Sequence, residues 1–218
     1  MHSTVASHAS SSPLKTSDYH TAGEPFRIVH EGGPVPDGST VAERRIAAIA
    51  DGDGADGVRR LLCQEPRGHA DMYGGFIVPP DDDGAHFGVL FWHKDGFSTA
   101  CGHGTIALGV WATETGLVES LPNGTTEVRI DVPSGRVAAF VERANGGLVG
   151  VTFRNVPSYV IARGVPVSTS RGPVLADLSY SGAIYASVRA QDLQLSVAPE
   201  HYTDLIALGR EIKWALNT

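Results

Sequence analysis

Hydrophobic and polar positions alternate along much of this chain, and the breaks in that alternation mark its elements. Apolar and polar residues trade places through Ser17–Val29 (SDYHTAGEPFRIV), which predicts a strand ending in the turn EGGPVPDGS. The period then changes. In TVAERRIAAIADGDGADGVRRLLCQE, Val41, Ile46 and Ile49, then Val58, Leu61 and Leu62, recur at helical spacing, and DGDGADG splits the run into two helices. Gly74–Pro80 (GGFIVPP) reads as a short strand closed by prolines. After the acidic DDDG turn, Gly88–His93 (GVLFWH) reads as a buried strand.

The loop DGFSTACGHG leads into the helix TIALGVWATETGLV, whose apolar positions are Ile106, Leu108, Val110 and Trp111. EVRIDVP, GRVAAFVE and GLVGVTFRNVP follow as three alternating strands joined by glycine or asparagine turns. YVIARGVPV and GPVLADLSYSGAIYASVRA continue the β pattern, and HYTDLIALGREIKWAL reads as a last helix. Many antiparallel-type strands with a few helices define the α+β class. The order of strands followed by a helix recurs in the second half, although residue-level self-similarity between the halves is poor.

Composition narrows the picture. With 218 residues, 42% of them hydrophobic, the chain can bury one large core or two smaller ones. A formal charge of −7 supplies no basic stripe, which argues against nucleic acid as a partner. No apolar run approaches the ~18 residues that a membrane span requires. Residues 1–16 open polar, without the basic start and apolar core of a signal peptide, and read as a disordered tail. Two cysteines, Cys63 and Cys101, make no disulfide framework and fit a cytoplasmic protein with free thiols. Cys63 sits in an apolar helical stretch and reads as an inert core thiol.

Cys101 is different, because FSTACGHGT places it at the mouth of a helix beside Gly102, His103 and Gly104. A helix start leaves backbone N–H groups unpaired and carries roughly half a unit of positive charge. A thiol held there is expected to lose its proton more easily. The glycines let a ligand approach those donors, so a carboxylate and a proton-accepting sulfur can lie side by side. The residues alone leave open the plainer alternative of a small buried cysteine beside a hydrogen-bonded loop histidine. Zinc is disfavoured, since C-x-H without a second ligand pair is too few, and no cysteine-protease signature surrounds the thiol.

DYHTAGEPFRIV, EPRGHADMYGGF and GFSTACGHGTIALG, in this order and separation, resemble the proline racemase family, and the similarity continues through NVPSYV and DLSYSGAIYA. That family includes proline racemase, 4-hydroxyproline 2-epimerase and trans-3-hydroxy-L-proline dehydratase. The resemblance implies a diaminopimelate epimerase-like fold: two pseudo-symmetric α+β domains, each with a central helix wrapped by strands, with the active site in the cleft between them. It sets the first domain at 17–125 and a partial second domain at 126–218.

The resemblance also implies a cofactor-independent reaction without metal, on hydroxyproline or proline as the small-molecule substrate, in a protein that is commonly a homodimer. Cys101 matches the family's proton-handling cysteine. Gly102 and His103 match positions that bind the substrate carboxylate through backbone amides, with Gly104 and Thr105 completing the helix start. Tyr73 matches an aromatic wall of the pocket, although plain core packing is an equal reading of it. His20 and Thr21 order a loop near the site, and His69 and Asp71 lie at its edge or serve structure. Ala100, where epimerases carry methionine, and Ala183, where they carry asparagine, lean towards the dehydratase branch; Ser181 departs from the usual glycine. In that branch Cys101 is the base, the 3-hydroxyl is lost, and the enamine tautomerises to Δ1-pyrroline-2-carboxylate. Epimerisation or racemisation is the alternative.

The family's second catalytic residue, threonine or cysteine in a segment of the DRSPCGTGT type, has no counterpart before Thr218. The expectation is one catalytic face with an incomplete second domain. A further alternative is a non-catalytic form that binds a proline-like ligand or a full-length subunit, with little or no turnover.

Overall fold

The alternating run that reads as one strand is a hairpin. In the computed structural model, which describes residues Pro13–Asn217, β1 (Lys15–Thr21) and β2 (Glu24–Glu31) pair antiparallel about the two-residue turn Ala22–Gly23. Both turn residues have positive φ, 51° and 94°, a conformation whose twist matches that of the flanking strands. Lys15 and Thr16 thus belong to the sheet, not to the tail expected over residues 1–16. Residues 1–12 of that tail lie outside the described residues.

Two helices follow, α1 (Val41–Ala50) and α2 (Ala55–Cys63), broken where DGDGADG predicts. Thr40 and Glu43 form a reciprocal capping box at the start of α1. Their buried faces match the expected ones only in part: Val41 and Leu62 are buried and Val58 packs against the core, but Ile46, Ile49 and Leu61 are exposed, while Arg44 and Arg59 are buried. The reason is hydrogen bonding. Arg44 donates to Pro79 O at 2.8 Å, and Arg59 donates to His93 O and Lys94 O, both at 2.8 Å, while paired with Asp56. Guanidinium groups satisfy carbonyls at strand ends while their stems cover the sheet.

The sheet continues with β3 (Tyr73–Val78), β4 (Phe87–His93) and the short β5 (Gly96–Phe97). After α3 (Gly102–Glu114) come β6 (Gly124–Val132), β7 (Gly135–Ala144) and β8 (Gly147–Arg154). The eight strands run in the order β1-β2-β3-β4-β6-β7-β8, with β5 also paired to β4; β2/β3 and β4/β6 are parallel and the other pairs antiparallel. Strand β4 is buried on both faces. Leu90 and Trp92 join Val29, Phe76 and the helices α1 and α2 in one core. On the other face, Phe91 meets Phe26 and Phe87 meets Trp111 of α3. Helix α3 packs against β1, β2, β3, β6, β7 and β8, so the sheet wraps it, and the helix is buried nearly all round.

The parallel pairing of β4 with β6 moves the domain boundary. Strands β6–β8, expected to open the second domain at 126, complete the first sheet, and the compact units divide at Asn155/Val156 rather than at 125/126. The second unit contains β9 (Tyr159–Thr169), β10 (Gly172–Tyr180) and β11 (Ile184–Ser187), ordered β11-β10-β9. Two short 3-10 turns, Ala190–Leu193 and Pro199–His201, lead to α4 (Tyr202–Leu216). Its core is Val167, Val174, Ala176, Leu193, Leu195, Leu208 and Ile212. Ser181 and Ala183 lie in the β10–β11 turn, closed by Ser181 N–H donating to Ala183 O at 2.9 Å. No helix among the described residues is long and apolar enough to cross a membrane.

Candidate active site

The first unit's wrapped helix begins at the motif that the sequence singles out. Cys101 is the N-cap of α3, in extended backbone, and its carbonyl accepts from Thr105 N–H at 3.0 Å and from Thr105 Oγ1 at 2.8 Å. This double contact fixes the cap. The Gly104 amide faces the Cys101 sulfur. The Gly102 and His103 amides lie in the first turn of α3, where no preceding helical carbonyl is available to them. Gly102 has ordinary space around it, with the Phe153 ring 3.5 Å from where a β-carbon would stand.

His103 gathers more neighbours than its spacing from Cys101 suggests. Its Nδ1 lies 3.5 Å from Cys101 Sγ and 3.2 Å from Glu24 Oε2, and its Nε2 lies 3.3 Å from Pro25 O. Tyr73 presents its ring to the imidazole edge-on at 5.0 Å, and Phe26 does so at 5.8 Å. Thr21 Oγ1 donates to His103 O at 3.0 Å. His20 accepts the Gly23 amide at 3.2 Å and so ties the hairpin turn that carries Thr21 and Glu24. Strands β1–β3 therefore bring Thr21, Glu24, Pro25, Phe26 and Tyr73 to the helix start.

His69 lies apart and accepts the Asp71 amide at 3.2 Å. Met72 and Cys63 are in the core, with the Cys63 thiol donating to Met72 O at 3.5 Å. Sequence reasoning passed over Glu24, although it stands within HTAGEP, the same motif as His20 and Thr21. Its position four residues after His20, across a tight turn, was the available signal. Among the described residues no three His, Cys, Asp or Glu side chains come together as a metal-ligand set.

Electrostatics reverse one expectation. The helix start was expected to ease deprotonation of Cys101, but the residue is only 8% exposed, and burial pushes its thiol up to about 12. The Gly104 amide opposes the shift, and the Glu24 carboxylate adds to it. Desolvation of a thiolate outweighs one aligned donor. Burial also lowers His103, against the opposing pull of Glu24 and Pro25 O.

The raised thiol gives a pH signature. Against an ordinary value of 9.0, the folded state holds its proton while the unfolded chain releases it. The stability it contributes is full below pH 9 and is lost as pH rises towards 12, at no more than about 1.4 kcal/mol per unit. Urea titrations between pH 8 and 11 are expected to show the parent chain losing stability more steeply than Cys101→Ser. Parallel curves for the two would refute this assignment.

The family model for proline racemase matches residues 16–218. The chain belongs to the proline racemase family. Among its curated relatives, the trans-L-3-hydroxyproline dehydratase of Xenopus tropicalis is 42% identical over 200 residues, and that of Mus musculus is 44% identical over 209. The matches cover 91% and 94% of this chain but 57% and 58% of the two relatives, so this proline racemase-family chain spans rather more than half their length. A solved structure of a hydroxyproline epimerase from Agrobacterium vitis, with bound trans-4-hydroxy-L-proline, superposes with a TM-score of 0.81 at 27% identity. It covers 86% of this chain and 55% of that one. The α+β, epimerase-like fold of this family member is thereby shown.

Proposed function

We propose that this chain carries one catalytic face of a trans-3-hydroxy-L-proline dehydratase, with Cys101 removing the substrate's α-proton. The observation that carries the reading is the helix start itself: a sulfur between the Gly104 amide and His103, beside the first-turn amides of Gly102 and His103. Those amides, at the positive end of α3, suit the substrate carboxylate. Tyr73 forms an aromatic side of the space next to His103. Gly104 and Thr105 hold the cap in shape.

An amino-acid α-proton is only weakly acidic. Pinning the carboxylate to fixed dipoles and placing the sulfur within reach lower the barrier to its removal. The electron pair of the C–H bond then forms C2=C3 as the 3-hydroxyl leaves, and the enamine tautomerises to Δ1-pyrroline-2-carboxylate. The resemblance to dehydratases at Ala100 and Ala183 supports elimination over epimerisation. No external cofactor enters this scheme; the two free cysteines support a cytoplasmic setting, and the family resemblance supports a homodimer.

Incubation with trans-3-hydroxy-L-proline in D2O tests the reading. Pyrroline carboxylate, trapped by o-aminobenzaldehyde, is expected. Deuterium at Cα with inversion and no pyrroline would assign an epimerase instead, and neither pyrroline nor deuterium from any proline-type substrate would overturn the reading.

A further inference from the structure

The contacts around His103 cannot all be met by a neutral ring. With the proton on Nε2, Pro25 O is satisfied but a bare Nδ1 faces the Glu24 carboxylate. With the proton on Nδ1, Glu24 is satisfied but a bare Nε2 faces Pro25 O. Only the imidazolium, donating from both nitrogens, meets both acceptors. Burial opposes that charge, and the nearest proton that can supply it is the Cys101 thiol's, 3.5 Å from Nδ1. When it moves, the thiolate keeps the Gly104 amide and shares the one Nδ1–H with the Glu24 carboxylate, sulfur and carboxylate lying 3.5 Å and 3.2 Å from that nitrogen, while Nε2–H donates to Pro25 O. Facing His103 are Glu24 from β2, Tyr73 from β3 and Cys101 from the cap of α3, with Phe26 the apolar wall.

Substrate stereochemistry adds a second argument, which rests on the dehydratase reading. In trans-3-hydroxy-L-proline the hydroxyl lies opposite the carboxylate, hence on the same ring face as the α-proton. Both departing groups point towards one side of the active site. We propose that His103 is a second catalytic residue on this face, taking the Cys101 thiol proton before α-proton removal and giving one to the departing 3-hydroxyl, with Glu24 as the residue that positions it.

The protons balance. Transfer from Sγ to Nδ1 gives thiolate and imidazolium. The thiolate then takes the α-proton and becomes thiol again. As the C–H pair forms C2=C3 and the C3–O bond breaks, the imidazolium proton leaves with the oxygen as water. The cluster ends as it began, thiol and neutral imidazole, so elimination needs no acid from the opposite face.

Iodoacetamide labelling of Cys101, followed by peptide mass spectrometry from pH 6 to 11, reads the first transfer. An internal thiolate–imidazolium pair keeps its population constant with pH, so the parent is expected to show a rate plateau near neutrality. In His103→Gln the plateau disappears, and the rate climbs about tenfold per pH unit, as for an isolated thiol. In Glu24→Gln the plateau falls at least about tenfold, a loss equivalent to one pH unit of thiolate population. Glu24 has a half-exposed side chain, so its variant tests the idea even if His103→Gln fails to fold. A Glu24→Gln profile superposable on the parent's overturns the inference.

Product assays separate this inference from the reading it rests on. At pH 10, His103→Gln is expected to recover α-deuterium exchange but not pyrroline release. Equal pyrroline release by parent and His103→Gln at pH 7 sinks the role of His103 alone. A moving plateau with no pyrroline and no exchange in the parent sinks the dehydratase reading and leaves the thiol–imidazole transfer standing.

Discussion

Cys101→Ser is expected to abolish pyrroline formation and α-deuterium exchange, by about 10³-fold or more, while leaving the chain folded. Serine is nearly isosteric with cysteine, and at an N-cap it is the better residue, since its hydroxyl accepts helix-start amides. The Cys101 sulfur faces the Gly104 amide without making a cap hydrogen bond of ordinary geometry, so the substitution has a capping contact to gain. Fold and chemistry are thereby separated. The hydroxyl is far too weak an acid to be deprotonated by a buried imidazole, so the α-proton has no acceptor on this face. A thermal melt at or above the parent's, combined with lost turnover, is the expected pair of results. Retained turnover would remove Cys101 from the mechanism.

Gly104→Ala is expected to be the most damaging one-carbon change in the site. A β-carbon there is driven into the Phe26 ring and stands 2.9 Å from Cys101 Sγ. Phe26 is fully buried and packs edge-on against Phe91 and His103, so the ring has nowhere to retreat. Overpacking of this kind costs about 1–3 kcal/mol, offset by at most about 1 kcal/mol of improved helix propensity. The larger effect falls on function. The sulfur is displaced from the Gly104 amide and from Nδ1, and misplacement of about 1 Å costs about 10²-fold in rate. Gly102→Ala supplies the contrast, because its β-carbon meets only the Phe153 ring, at 3.5 Å. Urea midpoints are expected to fall for Gly104→Ala and to hold or rise for Gly102→Ala. A Gly104→Ala chain as stable and as reactive at Cys101 as the parent would mean that the helix start is looser than described.

The elements most faithfully visible in the sequence are those whose burial is simple. β4 reads as a buried strand because it is apolar on both faces, and it lies between two cores. The break between α1 and α2 is visible because glycines and aspartates interrupt a periodic run. The reading fails where arginines replace apolar residues on a buried face. Arg44 and Arg59 count as polar in any pattern, yet each is accommodated by carbonyls at strand ends that are distant in sequence. The hairpin β1–β2 reads as one strand in the sequence because alternation continues across a turn of only two residues, Ala22 and Gly23.

The α+β class, the sulfur at the mouth of a glycine-flanked helix, and the family are legible in the amino-acid order, because periodicity and short motifs are local properties. The chemistry of that sulfur is set by contacts between segments far apart in the chain. Phe26 and Glu24 reach the helix start from β2, and Pro25 contacts His103 across 78 positions of chain. Desolvation and hydrogen-bond partners come from such distant contacts, so the direction of the thiol's shift was opposite to the local expectation. The domain boundary has the same origin: the parallel pairing of β4 with β6 carries β6–β8 into the first sheet, and no periodicity records which strand a strand lies beside.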